Sequence, residues 1–173
     1  NKLTRAAGIV TTSSSGAVGI GTTIITGIST VGVAVSDLID NTNFIAGTKV
    51  SAIGISTVYA DRDSTNTAAA SAQIFKFLGM TTAYTSAAST KSVLIGGTFA
   101  NNTANSVNLT VEIHDASAGI QAALASKIPV PTGSSFVISE AGKTILEATD
   151  EVRVFCDTAN AIDVNLSILT GVS

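Results

Sequence analysis

Apolar and polar residues alternate with a period of two along much of the second half of the chain. Val107, Leu109, Val111 and Ile113 fall on one face, and Asn108, Thr110, Glu112 and His114 on the other. That pattern predicts a half-buried antiparallel strand. Val152, Val154 and Cys156 alternate with Arg153 and Phe155, and Ile162, Val164, Leu166 and Ile168 alternate with Asp163, Asn165 and Ser167. Apolar runs at residues 74–78, 92–99, 136–138 and 144–146 add strands, with turn signals at residues 101–105, at Gly133 and at Ala141-Gly142-Lys143. Residues 120–128 fit a short helix by alanine content, or a strand by their position between strands. Pro129 and Pro131 lack a ladder donor, so the segment around them reads as an extended edge. Residues 69–173 therefore predict a domain of seven or eight strands, an antiparallel β-sandwich of jelly-roll or immunoglobulin-like type.

Residues 1–68 have a different texture, rich in Gly, Thr, Ser and Ile. The pentapeptide Gly27-Ile28-Ser29-Thr30-Val31 recurs as Gly54-Ile55-Ser56-Thr57-Val58, with looser relatives at residues 8–12 and 19–23. β-Branched residues mixed with glycine favour extended chain with bends. The stretch Asp37-Leu38-Ile39-Asp40-Asn41-Thr42-Asn43 reads as a turn, and Ala46-Gly47-Thr48 as another before a strand at Lys49-Val50. Few large apolar groups are present to offset a backbone ordering cost of about 1–2 kcal/mol per residue. The expectation is an extended N-terminal β-arm, or a small β-module, that orders on neighbouring chains through Ile24, Ile25, Ile28, Val31 and Ile55.

Composition sharpens that expectation. Of 173 residues, 45% are hydrophobic but only 12% are charged, about half the usual share. A free monomer normally keeps charge on its surface, so low charge fits a subunit whose faces neighbours cover. A net charge of −3 with scattered Lys and Arg argues against nucleic acid, which demands a basic patch. No run approaches the 18 apolar residues of a membrane span, and no signal-peptide core follows Arg5.

Candidate chemistry is sparse. His114, the single histidine, sits beside Asp115 on the polar face of its strand and reads as a surface side chain. The single cysteine, Cys156, shares a face with Val152 and Val154 and reads as a buried thiol. Asp61-Arg62-Asp63 with Asn66 is a faint calcium-loop pattern without the glycine or bidentate glutamate such a loop requires, so a solvated turn with a local ion pair is expected. Glu147, Asp150 and Glu151 suggest a carboxylate pair only as far as spacing goes; a turn is the simpler reading. Gly16, Gly19 and Gly21 lack a phosphate-loop lysine and read as turns. No catalytic, metal or cofactor-binding residue is assigned, and no cofactor is expected.

The C-terminal half also carries a resemblance. Thr98-Phe99-Ala100-Asn101-Asn102-Thr103, Val107-Asn108-Leu109-Thr110-Val111 and Ile128-Pro129-Val130-Pro131-Thr132-Gly133-Ser134-Ser135 come first in an ordered series. Ile145-Leu146-Glu147-Ala148-Thr149-Asp150-Glu151-Val152-Arg153-Val154 and Ala159-Asn160-Ala161-Ile162-Asp163-Val164 complete it. Over about residues 74–170 the series resembles a β-sandwich domain of virion structural proteins of tailed phages, notably phages of marine bacteria and cyanobacteria. The run at residues 47–54 also resembles phage appendage segments. The resemblance implies a capsid decoration or cement protein, or a neck, tail or fibre subunit, and no catalytic residue. The expected partners are copies of itself, in a symmetric oligomer such as a trimer, and virion proteins such as the major capsid protein, on the particle surface. The rival readings are a cell-surface filament subunit that pairs donor strands, and a carbohydrate-binding module. The latter is weakened by the lack of Trp and by only two tyrosines, Tyr59 and Tyr84.

Overall fold

Alternating patterns and proline-marked edges lead to an all-β, antiparallel protein. A computed structural model describes residues 2–5, 9–139 and 143–172. The first strands are β1 (Lys2–Arg5), β2 (Ile9–Val18), β3 (Ile24–Thr26), β4 (Leu38–Asp40), β5 (Val50–Ile53), β6 (Thr57–Ala60) and β7 (Ala70–Leu78). They are followed by β8 (Thr81–Thr85), β9 (Lys91–Asn101), β10 (Val107–Asp115), β11 (Ile120–Val130) and β12 (Ser135–Ile138). The last three are β13 (Thr144–Leu146), β14 (Glu151–Cys156) and β15 (Ile162–Val172). Residues 8–80 form one compact unit; residues 81–173 and the segment bearing β1 form the other. The expected turn at Ala141-Gly142, like Gly8 of the first loose repeat, lies outside the described residues.

The boundary differs from the expected 68/69 because β7 belongs to the first unit, pairing β2 and β4. Its Phe75 and Phe77 point into that unit's core and meet Val18, Ile25, Ile28, Ile39, Phe44 and Val58. An extended arm is therefore not what forms. These aromatics provide the burial that residues 1–68 lack alone. The strands run β4-β7-β2-β3-β6-β5, and the two ends of the sheet meet. Leu38 bridges Lys49, the Val50 amide donates to Asp37 O at 2.9 Å, and the Ser36 amide donates to Val50 O at 2.8 Å. Closure leaves little free edge for strand addition. The supposed turn at residues 37–43 thus contains β4; polar flanks hide a three-residue strand whose Leu38 and Ile39 are buried.

The second unit is a β-sandwich. One sheet runs β1-β15-β9-β12, with β13 also on β9; the other runs β11-β10-β14-β8. Leu94, Phe99, Val164 and Leu166 face Leu109, Val111, Val154 and Cys156 across a single core, as the period-two pattern requires. Residues 120–128 are strand: pairing with β10 overrides alanine's helix preference. β11 is an edge strand, and Pro129 lies on it. The expected polar face of β10 is only partly wet, since Thr110 and Glu112 are buried.

The β10–β11 turn is held by Asp115, whose Oδ1 accepts bonds from the Ser117 amide (2.9 Å), Ser117 Oγ (2.7 Å) and the Ala118 amide (2.9 Å). The Ala118 amide above all, then the Ser117 hydroxyl and amide, holds its carboxyl below the ordinary carboxylate value. A lowered folded value means that the carboxylate's contribution is complete above the unfolded value and lost as pH falls through the folded one. Amide resonances of Ser117 and Ala118 should therefore shift, and their exchange accelerate, only below the normal aspartate range. An acid titration followed by NMR checks this; a midpoint at or above the ordinary value would refute it.

Candidate assembly surface

The residues singled out for chemistry each have a local role. The Cys156 thiol is fully buried in the sandwich core, and burial pushes its pKa up, away from a reactive thiolate. His114 sits opposite Gln121 and Glu151, and its Nδ1 is buried with no hydrogen-bond partner, so the side chain is less solvated than expected. Arg62 and Asp61 form the loose pair foreseen, at 4.0 Å, while Asp61 Oδ1 accepts the Lys49 amide at 2.8 Å. Nearby, Ser64 Oγ accepts the Thr22 amide (3.1 Å) and donates to Gly19 O (2.9 Å), fixing this loop to the β2–β3 turn.

The three carboxylates at 147–151 separate. Glu147 meets Lys91 at 3.1 Å and Glu151 meets Arg153 at 2.7 Å, whereas Asp150 is buried and accepts backbone amides. Nothing aims a pair of them at a shared substrate position. Gly16 is not a turn but lies in β2, where an added Cβ would come within 3.1 Å of the Phe75 ring; Gly21, with φ +56°, is a turn residue. Among the described residues, no three His, Cys, Asp or Glu side chains converge as a metal site would demand.

The surface with most to offer is apolar. Residues 6–36 and 50–60 contain no Asp, Glu, Lys, Arg or His. They bring the two pentapeptides side by side: the Ile28 amide donates to Ser56 O and Thr30 Oγ1 to Ile55 O, both at 3.3 Å. The copies are buried in opposite senses. In the first, Ile28 is inside and Val31 is 84% exposed; in the second, Ile55 is 100% exposed and Val58 is inside. Ile55 stands on a tight turn closed by the Gly54 amide donating to Thr57 O at 2.7 Å. The Tyr59 ring lies alongside that turn, 3.9 Å from where a Gly54 Cβ would be. Ile24 faces Tyr59 across β3 and β6, and both are part-exposed on the outer side of the sheet. Beside Ile24 is a shallow hollow of about 440 Å³, lined by Ala17, Gly19, Thr22, Thr26 and Ala70.

Of the five residues expected at contacts, Ile24, Val31 and Ile55 are thus on the surface. Ile25 and Ile28 are not: both are buried in the first unit's own core, which corrects their assignment. In Ile24-Ile25 both residues are apolar, so periodicity could not say which points out. Tyr59, not among the five, is exposed beside Ile24; its alternation with buried Val58 and Ala60 is the signal in the sequence that points it outward.

No family model matches the chain, and neither a curated protein nor a solved structure matches it.

Proposed function

We propose that the chain is a non-enzymatic structural subunit of a tailed-phage particle, a capsid decoration or cement protein ahead of a neck, tail or fibre subunit. It works by docking the charge-free end of its first unit on another particle protein such as the major capsid protein. The observation that carries this reading is the adjacent exposure of Val31 and Ile55 on a surface without charge. Large β-branched side chains held out on a tight turn present apolar area with little rotamer entropy left to lose, which suits them as anchors in a partner's pocket. Contiguous apolar patches of this kind are uncommon on free monomers. The resemblance of residues 74–170 to phage sandwich domains supports the particle setting.

The reading is tested with Val31→Asp/Ile55→Asp. Both side chains lie outside the core, so the fold should persist. Binding to particles lacking the subunit should weaken on the order of a hundredfold, because two anchors are lost and two charges are desolvated. Undiminished occupancy would refute the docking surface. Ile28→Asp is unsuitable for this purpose, since it would break the first unit's core.

One arrangement favours the filament reading as second choice. Among the described residues β11, eleven residues long, lies at the edge of its sheet, so a neighbour's strand could pair along it. Polymerisation of the pure chain without capsids would favour it.

A further inference from the structure

A second apolar surface lies on the sandwich unit, on the outer face of the sheet β1-β15-β9-β12/β13. Strand register aligns two rows across it. Ile145, Val93 and Leu169 are cross-strand neighbours, as are Val137, Thr98, Asn165 and Leu3. Leu3, Val137, Ile145 and Leu169 are each more than half exposed. Between the rows is a hollow of about 340 Å³ lined by Ile95, Gly96, Gly97, Thr98, Val137 and Ser167. Along β9 and β15 the charged residues of the face stand at the ends, Asp163 at one and Lys91 with its partner Glu147 at the other, and Lys143 stands exposed at the rim, just before β13.

We propose that this face packs on the same face of a second copy across a two-fold axis, so that the building block is a dimer joined sheet to sheet. This goes beyond the docking surface proposed above and rests on the same reading, that the chain works by assembly. Three features select a second copy as the occupant. Ridge and hollow are neighbours on one surface, so an axis between them seats the Ile145–Leu169 ridge of each copy in the hollow of the other, as an isologous contact requires. The central positions of β9 and β15, Val93, Ile95, Thr98, Asn165 and Ser167, are uncharged, so those strands of two identical surfaces meet without like-charge repulsion. Reversing the strand direction also lays the Asp163 end of one copy over the Lys91 end of its mate. Finally, two strands of 11 residues flanked by one of 4 and by the short pair of 4 and 3, about 4.8 Å apart, make a face of about 500 Å². Two such faces bury about 1,000 Å² in all, the size of a weak, concentration-dependent contact.

Sedimentation equilibrium on the full chain tests this, with two variants. Ile145→Lys/Leu169→Lys changes exposed positions and should weaken the dimer on the order of a hundredfold. Ile95→Cys lies near the axis and should give a covalent dimer on mild oxidation; Cys156, being buried, should not. If the chain self-associates but neither variant behaves so, this face is not the contact, while the assembly reading stands through another surface. If the chain stays monomeric and the face is protected only on binding a different particle protein, the dimer proposal fails and assembly again survives. Monomeric chain that binds no particle sinks both. Val31→Asp/Ile55→Asp should leave the dimer intact, separating the two surfaces.

Discussion

Phe75→Ala is expected to remove about 3–5 kcal/mol from the first unit, half or more of the stability of a module of this size. Phe75 is fully buried, its ring centroid is 6.4 Å from that of Phe44 at a 60° tilt, and Gly16 and Ile28 close over it. Truncation therefore deletes an aromatic pair and leaves a cavity that a closed sheet cannot collapse to fill. Small domains have only about 5–10 kcal/mol of stability to lose. Hydrogen exchange on the full chain measures the result. Amides of β3, β6 and β7 should lose protection, while those of β9, β10 and β14, which belong to a separate core, keep theirs. Retained protection in β7 would mean that the module does not depend on its aromatics.

The second large effect is expected at Asp150, the group that holds together the loops at one end of the sandwich. Its Oδ1 accepts the Ala116 amide at 3.0 Å and its Oδ2 the Glu147 amide at 2.8 Å. The Ser86 amide donates to its backbone oxygen at 2.9 Å. Beside this node runs a hydroxyl chain, Tyr84 Oη to Ser92 Oγ (2.8 Å) to Ser86 Oγ (3.0 Å), with Ser86 and Ser92 buried. Asp150→Ala would remove the acceptor of two part-buried N–H donors, and a hydrogen bond to a charged group contributes about 1.5–3 kcal/mol. The loss should be about 3 kcal/mol, a fall of about 1.5 M in the urea midpoint of the sandwich. Asp150→Asn keeps one acceptor and should lose roughly half as much. Equal midpoints for all three proteins would show that the turns hold without the carboxylate.

How far the sequence speaks depends on whether the physics is local. The strands β10, β14 and β15 were readable because one face is core and the other mostly polar, so burial is written into alternation. β11 was not decidable in that way. Residues 120–124 are exposed on both faces, which removes the alternation, and only pairing with β10 defines them as strand. The assignment of β7 failed for a different reason. Phe75 and Phe77 announce a buried strand but not the sheet it joins, and placing them with the sandwich left the preceding residues looking coreless. Closure of the first unit through Leu38 and Lys49 is a non-local event that no window of sequence contains. Of the five residues expected at contacts, Ile24, Val31 and Ile55 are exposed on the unit, whereas Ile25 and Ile28 are core, because a run of β-branched residues carries no mark of which side faces water.

Two apolar surfaces, one on each unit, share a cause in the sparse charge of the chain, and both are explained if other polypeptides cover them. Sedimentation velocity of the unmodified chain at micromolar concentration addresses that claim most directly. The account predicts a mass at least twice that of the protomer, falling on dilution. A single protomer mass across the whole range, with neither surface gaining protection from exchange when particles are added, would contradict it.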